Sequence, residues 1–292
     1  MANKRILVKR RKAVRNIRKI TRTMQLIATA RFQAAHNRAV ATKPYTEKLA
    51  ELVANLSAAA DDIDHPLMQT HEDVKKSAMV IISSQRGLCG GYNSNVLRLA
   101  IEHLDKLGSE GIETDVYMVG KKGISYFRFL RRQMLERITH LADAPRFDQV
   151  EPIASTLMDR FCNGEIASAY VAYMRFASTA RQHATVLELL PLKHEADASD
   201  DPESRITREY EFSPEPRELL DELLPATVRA RLFQCFTDAT VSEQLARMVA
   251  MKAATDAAGD MITLLTRQYN RARQTAITME LLDIVGGANA IA

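Results

Sequence analysis

Hydrophobic positions at both ends of the chain repeat with the spacing of a coiled-coil seam. Near the amino terminus they advance by alternating steps of four and three residues: Ala13, Ile17, Ile20, Met24 and Ile27. The stretch from about 227 to 285 shows the same alternation at Met261, Leu265, Gln268, Ala272, Thr275, Met279 and Leu282. Several of these positions are small or polar. The pattern therefore predicts two long helices that pair through a thin, close seam.

The distribution of glycine and proline supports this division. Eight of the 11 glycines lie between Gly87 and Gly164, and no proline follows Pro225. Uninterrupted helices of this length would each extend roughly 80 Å, too long for the core of one compact domain. Because one begins the chain and the other ends it, we expect them to pair antiparallel. Shorter pieces of a helical bundle are the alternative, and Pro44 is expected to kink or interrupt the first helix.

The middle of the chain, from about 74 to 192, alternates strand and helix patterns. Strands are predicted at 77–84, 114–119, 166–176 and 184–190, and helices at 95–107, 120–130 and 149–162. Such alternation is typical of an open α/β domain with a mainly parallel, Rossmann-like sheet. The predicted domains are an N-terminal coiled-coil helix at 1–58, an α/β domain at 72–216 and a C-terminal coiled-coil helix at 217–292. An acidic surface excursion is expected at 193–216.

Charge is distributed unevenly along the chain, although the net charge is only +4. Thirteen Lys and Arg residues precede the first acidic residue, Glu47, and 11 carboxylates lie between Lys193 and Pro225. A basic helix without compensating anions is expected to bind an acidic partner, whether nucleic acid, anionic lipid or an acidic protein surface. Only Phe32 and Tyr45 supply aromatic rings among these cations, which disfavours a nucleic-acid binder. No segment reaches the ~20 apolar residues that cross a bilayer.

A glycine-rich loop, Arg86-Gly-Leu-Cys-Gly-Gly91, follows a predicted strand and precedes a helix. That is where a phosphate-binding loop would lie, but the spacing fits neither GxGxxG nor GxxxxGK[ST]. We therefore interpret the loop as a tight turn and docking surface, and a nucleotide-dependent enzyme remains the weaker alternative. The seven histidines and three cysteines show no metal-site or nucleophile pattern, so no metal, cofactor or catalytic residue is predicted.

Three stretches together resemble one family, the gamma subunit of rotary F-type ATP synthase. They are Lys19-Ile-Thr-Arg-Thr-Met24 with Lys43-Pro-Tyr45, then Arg86-Gly-Leu-Cys-Gly-Gly-Tyr-Asn93, and then 246–256 continuing to Tyr269-Asn-Arg-Ala-Arg-Gln274 and Ile277-Thr278. The resemblance covers essentially the whole chain, and the C-terminal stretch is its most specific part.

The resemblance implies a non-catalytic central stalk that couples ion flow to ATP synthesis or hydrolysis. Its antiparallel coiled coil would enter the ring of alpha and beta subunits, with catalysis on beta. Its α/β domain would bind the epsilon subunit and the c subunits of the membrane rotor ring. The complex would lie at the cytoplasmic face of a bacterial inner membrane. Contact with an acidic beta-subunit loop is implied for Met24, Arg273, Gln274 and Thr278.

The resemblance also implies a docking surface on the α/β domain. Its residues would be Arg86, Gly87, Gly90 and Gly91 of the glycine-rich loop, with Tyr210 and Phe212 of the segment Tyr210-Glu-Phe-Ser-Pro-Glu-Pro216. The family usually carries a carboxylate where this chain has Ser213, which changes the polar contact expected with the rotor ring. No cysteine-bearing insertion of the plant plastid type is present, so thiol control is not predicted.

Overall fold

The computed structural model describes residues 4–59, 65–71, 73–141, 145–192 and 216–291. In the order of the chain, two long helices, α1 (Lys4–Ala59) and α5 (Pro216–Ile291), precede and follow the strands. The interruption expected at Pro44 is wrong, because α1 continues through it. Leu49 and Leu56 on the following turns are 6% and 2% exposed. Their burial offsets the backbone hydrogen bond that a proline removes.

The α/β region forms a five-stranded sheet in the order β3-β2-β1-β4-β5. Its strands are β1 (Lys76–Ile82), β2 (Glu113–Val119), β3 (Glu136–Ile138), β4 (Ser168–Phe176) and β5 (Gln182–Leu190). Its helices are α2 (Tyr92–Ser109), α3 (Lys121–Phe129) and α4 (Phe147–Cys162). The first four strands in the order pair in parallel, and β5 pairs antiparallel with β4. The predicted α/β fold class with long terminal helices is confirmed, whereas the three-residue β3 was missed.

The sheet is buried on both faces, which explains the continuous hydrophobic runs of its strands. Along β1, Ala78, Val80 and Ile82 pack into one cluster with α4 and the first part of α5. Met79 and Ile81 point into a second cluster with α2 and α3. All five of these side chains are no more than 4% exposed.

The first part of α5 belongs to the sheet's core. Its fully buried positions advance by four residues and are listed as Leu220, Leu224, Val228 and Leu232. The chain divides into two compact units at positions inside both long helices. The α/β unit comprises 31–246, and the coiled-coil unit comprises 1–30 with 247–292. The functional division at 1–58, 72–216 and 217–292 stays a prediction.

Within the coiled-coil unit, the two helical segments run antiparallel. The hydroxyls of Thr21 and Thr255 lie 2.9 Å apart in a hydrogen bond. The guanidinium of Arg11 lies 4.9 Å from the ring centroid of Tyr269. As the residue number rises along α1, that of its partner on α5 therefore falls, as expected from the order of the helices in the chain.

The buried seam of the coiled-coil unit differs from the predicted one. On α1 the buried positions are Leu7, Thr21 and Ala28, whereas the predicted seam residues Ile17, Ile20 and Ile27 are 52%, 59% and 49% exposed. On α5 the predicted seam residue Leu265 is buried, as are Thr255 and Ala258, whereas the predicted seam residue Met261 is 51% exposed. Two stripes with identical spacing lie side by side on α1. The stripe with Thr21 and Ala28 carries smaller side chains, which allow the backbones of α1 and α5 to approach more closely. This stripe therefore forms the seam.

Candidate protein-interaction surfaces

The glycine-rich loop is a closed turn held by side-chain hydrogen bonds. Ser84 N–H donates to Asn93 Oδ1 at 3.0 Å, and Ser84 Oγ donates to the carbonyl of Arg86 at 2.7 Å. Asn93 Nδ2 lies 3.2 Å from the sulfur of buried Cys89. Leu88 and Gly90 both have positive φ, 64° and 56°. The network holds the turn in this conformation and leaves the Leu88 side chain 61% exposed.

The prediction that this loop is a tight turn is confirmed. Gly91 is the N-cap of α2, and a Cβ on Gly87 would lie 3.3 Å from the side chain of Lys122. The role of Arg86, Gly87, Gly90 and Gly91 in docking a partner stays a prediction. Tyr210, Phe212 and Ser213 lie outside the described residues.

The carboxyl edge of the parallel strands is filled by the chain's own helix. In open α/β folds this edge is where ligands bind. Here Ser242 of α5 donates to the carbonyl of Met174 in β4 at 3.2 Å. Phe236 and Ala239 of α5 line, with the ends of β1 and β2, a cavity of about 30 Å³. A cavity of this size accommodates about one water molecule, not a nucleotide.

The connection between β2 and α3 is closely packed against the residues that follow β1. Gly120 has φ of 91°, and a Cβ there would lie 2.2 Å from the carbonyl oxygen of Ser83. Ser83 Oγ donates to the carbonyl of Val119 at 2.6 Å and accepts the N–H of Gly123 at 2.9 Å. These glycines allow two backbone segments to pack directly against each other at the strand ends. They leave no room for a phosphate.

Polar groups also lie in the interface between α5 and β4. Burial raises the pKa of Asp238 to about 6, although the hydrogen bond from Gln234 opposes this shift. Burial, with the neighbouring charge of Asp238, raises the pKa of the Cys235 thiol to about 12. Burial likewise raises the pKa of Tyr173. A thiol and a phenol that remain protonated at neutral pH are inert, so this cluster offers no nucleophile.

The four predicted contact residues on the coiled coil do not form one cluster. Met24 is half-buried, and Arg273, Gln274 and Thr278 are exposed on α5. Because Thr21 pairs with Thr255, Met24 lies near residue 252 of α5. Residue 273 then lies roughly 30 Å farther along the axis at 1.5 Å per residue. Met24 and the α5 residues Arg273, Gln274 and Thr278 would therefore contact a partner at two different levels along the axis of the coiled coil.

The segment of α1 between these levels has two chemically different flanks. One flank carries the exposed side chains of Ile17 and Ile20. The other borders a groove of about 860 Å³ against α5. Its cationic lining consists of Lys12, Arg15, Arg18, Lys19 and Arg22. The sequence indicated a basic helix but did not separate the basic flank from the apolar one.

The carboxyl-terminal part of α5 exposes apolar side chains over more than half of its circumference, and Glu280 and Asp283 occupy the remaining face. They are Ile277, Met279, Leu281, Leu282, Ile284 and Val285, all between 48% and 68% exposed. In the register set by Thr21 and Thr255, the described start of α1 at Lys4 lies near residue 272, so these residues lie past it. So wide an exposed apolar surface is typical of a protein-interaction site, so this end is suited to contact with another protein.

In the part of the chain that the structure describes, no helix has the length and hydropathy to cross a membrane. Across the same residues, no three His, Cys, Asp or Glu side chains are grouped to hold a metal ion. The surfaces with distinctive chemistry are therefore the basic groove, the apolar flank and the apolar end of α5. Together with the fold, these surfaces are the features expected of a protein that binds other proteins.

Comparison with known proteins gives the family. A family model described as "ATP synthase" matches residues 3–291. The ATP synthase gamma chain of Rhodopirellula baltica is 43% identical over all of this chain and 99% of the relative. That of Leptospira biflexa is 40% identical over the full length of both. The chain belongs to the ATP synthase gamma chain family.

Solved structures share the fold. A chain of the Euglena gracilis mitochondrial ATP synthase, in a structure of OSCP, F1 and the c-ring, matches with a TM-score of 0.68. The match covers 99% of this chain and 94% of that one at 19% identity. A chain in the rotor structure of the same enzyme matches with a TM-score of 0.65 at 18% identity, covering 94% and 98%.

Proposed function

We propose that this chain is the central rotor stalk of an F-type ATP synthase. It transmits rotation of the membrane rotor ring to the catalytic sites of an alpha/beta ring, and so couples ion flow to ATP synthesis or hydrolysis. Membership of the gamma chain family supports this function. The observation that carries it is the end of α5, where six large apolar side chains are about half exposed or more. A surrounding ring would remove these side chains from water.

The proposed partners are the alpha and beta subunits around the coiled coil, and the epsilon and c subunits at the α/β unit. The chain itself is non-catalytic, with the catalytic sites on beta. The filled carboxyl edge of its sheet supports this assignment, because α5 occupies the place where an α/β enzyme binds its ligand. The complex is assigned to the cytoplasmic face of a bacterial inner membrane, in keeping with the bacterial relatives.

We assign two sets of contact residues. Met24, Arg273, Gln274 and Thr278 would contact beta at the two levels of the coil described above. Arg86, Gly87, Gly90 and Gly91 would form a docking surface with Tyr210 and Phe212. The exposure of Leu88 at the tip of the turn, 61%, supports this surface.

Rotation of the chain within an alpha/beta ring is the test of this function. Among the described cysteines, Cys162 is exposed, whereas Cys89 and Cys235 are buried. A bead attached through Cys162 should rotate in one direction when ATP is added to the surface-immobilised complex. The Cys162→Ser variant is the labelling control. A complex that hydrolyses ATP while the bead remains stationary would contradict the proposal, as would failure of the chain to co-purify with alpha and beta.

Substitutions at the carboxyl-terminal end of α5 test whether its exposed apolar side chains contact the alpha/beta ring. Leu281→Asn with Leu282→Asn should lower the yield of the alpha–beta–gamma complex at least tenfold, because the ring would lose apolar contacts and bury amides. The matched control is Glu280→Gln with Asp283→Asn on the same turn. Equal yields from the two double variants would show that the ring does not enclose this end.

A further inference from the structure

Helix α3 carries a second basic surface, which belongs to the α/β unit and not to the coiled coil. The segment 116–135 contains five Lys and Arg residues and no Asp or Glu. One of the five, Arg132, forms an ion pair with Asp105 at 2.6 Å. The other four are exposed and form no ion pair with a carboxylate in the described part of the chain. They are Lys121, Lys122, Arg128 and Arg131.

An apolar ring stands at the centre of this surface. Phe129 is 79% exposed, the highest value among the large apolar side chains that the structure describes. At 3.6 residues per turn, Lys122 and Phe129 differ by about 20° around the axis of α3 and by roughly 10 Å along it. Ile124 and Phe127 lie on the opposite side of the helix, buried against the sheet. Phe129 therefore projects from the crest of α3 with cations beside it.

The carboxyl-terminal turn of α3 adds a cation in an unfavourable backbone conformation. The N–H of Arg131 donates to the carbonyl of Arg128 at 3.1 Å, and that of Arg132 donates to the carbonyl of Phe127 at 3.0 Å. These two bonds form a Schellman motif, in which Arg131 occupies the left-handed position that glycine usually takes. Its φ is 55°. A non-glycine residue in such a conformation is typical of functional surfaces.

The shape and composition of the crest indicate the class of ligand. Several exposed cations around one projecting ring fit the surface of an anionic bilayer, where phosphates attract Lys and Arg and aromatic rings lie at the level of the headgroups. A single-stranded nucleic acid binds to several rings in series. Tyr126, the other exposed ring of α3, is turned aside and lines a groove with Leu97 and Ile101 of α2. The crest thus presents one ring only.

We propose that the outer face of α3 binds the surface of an anionic lipid bilayer. Lys122 and Arg128, with Lys121 and Arg131 at the two ends of the helix, bind lipid phosphates. Phe129 enters the layer between the headgroups and the acyl chains. The inference goes beyond the proposed function and does not depend on it, since it concerns a direct membrane contact of the free chain.

A fluorescent reporter on the crest of α3 tests the contact in the full chain. The chain contains no tryptophan, so Phe129→Trp introduces a single reporter. Vesicles of phosphatidylglycerol and phosphatidylcholine should shift its emission to shorter wavelength, and brominated acyl chains should quench it. The matched control is Phe147→Trp, because Phe147 is 44% exposed on α4, which covers the other face of the sheet. Its emission should not change.

Three results of this experiment would overturn the site. One is an unchanged emission of the reporter at position 129. Another is an equal change at positions 129 and 147, which would show general adsorption of the chain. The third is an equal change with vesicles of phosphatidylcholine alone, which would show that the cations do not contribute.

Charge reversal separates α3 from the basic amino-terminal part of α1, which an anionic vesicle also attracts. In the Phe129→Trp background, Lys122→Glu with Arg128→Glu should raise the lipid concentration at half of the spectral change at least tenfold. Lys9→Glu with Arg10→Glu makes the same charge change on exposed positions of α1 and should stay within twofold. Circular dichroism checks that both variants remain folded. Equal weakening by both would show that α1 carries the chain to the vesicle, and the α3 site would be wrong.

The remaining outcomes distinguish the ligand and the two proposals. If single-stranded DNA or polyglutamate shifts the reporter and displaces the chain from vesicles, the ligand is a soluble polyanion and the bilayer proposal is wrong. A chain that assembles with alpha and beta and rotates, but shows no vesicle contact through α3, refutes this inference alone. A chain that binds vesicles through α3 but never assembles refutes the stalk function alone.

Discussion

The α/β unit and the coiled-coil unit bury their apolar residues to very different extents. In the α/β unit, both faces of the sheet are covered, and Val80, Ile81 and Phe161 are fully buried. In the coiled-coil unit, a narrow seam is buried while Ile20 beside it is 59% exposed. One unit is complete as a folded core. The other has apolar surface that only a partner would remove from water.

The largest expected effect is in the α/β unit, at Gly120. A Cβ there would lie 2.2 Å from the carbonyl oxygen of Ser83, and φ is 91°. Gly120→Ala should therefore destabilise the chain by more than about 3 kcal/mol. Gly111→Ala is the control, because Gly111 has φ of 77° with nothing near its Cβ, and should cost about 1–2 kcal/mol. Equal midpoints in urea denaturation would show that the close contact contributes nothing.

An identical substitution in each unit tests the contrast directly. Ile81→Ala removes a fully buried side chain and should cost about 2–5 kcal/mol in the free energy of unfolding. Ile20→Ala removes a mostly exposed one and should change stability by less than about 0.5 kcal/mol. We expect Ile20→Ala to reduce assembly with alpha and beta instead. A large loss of stability from Ile20→Ala would mean that the apolar flank is already covered within the chain.

Asp238 gives the α/β unit a pH dependence. Its pKa of about 6 in the folded chain lies above the ordinary 3.8, so its contribution to stability is fully present below pH 3.8 and is lost as the pH rises through 6. Asp238→Asn should raise stability at pH 8 by an amount on the order of 1–2 kcal/mol. The difference between the two proteins should shrink as the pH falls to 4. Urea curves whose separation does not change with pH would contradict this prediction.

The smallest effect concerns the seam hydrogen bond of the coiled-coil unit. Thr21→Val should cost about 1 kcal/mol, because the hydroxyl of Thr255 loses its partner across the seam. Thr21→Val combined with Thr255→Val should be less destabilising than the sum of the single changes, since each single change breaks the same hydrogen bond. Thermal unfolding of the four proteins would measure the coupling. Strict additivity would show that the two hydroxyls do not interact.

Much of the fold was predictable because its signals are local. The buried part of β1, 78–82, is a continuous apolar run in the sequence, and the scarcity of glycine and proline at both ends indicated long helices. The end of β4 at Phe176 and the position of the glycine-rich turn were also predicted within a residue or two. β3 was missed because three residues carry no periodicity, and the continuation through Pro44 depends on burial of Leu49 and Leu56 beyond it.

The sequence predicted the cationic character of the interaction surfaces, but it did not predict which face of α1 each surface occupies. The excess of cations before Glu47 indicated an acidic partner. Periodicity alone could not decide between the stripe of Ile17 and Ile20 and the stripe of Thr21 and Ala28, because both repeat with the same spacing. The sequence prediction took the stripe of Ile17 and Ile20 as the seam and therefore placed these exposed side chains between the helices.

The order of residues along the chain determined the α/β class, the two terminal helices, the tight turn at 86–91 and the basic character of α1. These features depend on neighbours within a few residues. Three-dimensional packing settled which face of α1 meets α5, how far Met24 lies from Arg273, and that Ser242 closes the carboxyl edge of the sheet. Each of these depends on which segments distant in sequence fit most closely together, and close fit is a property of the folded chain.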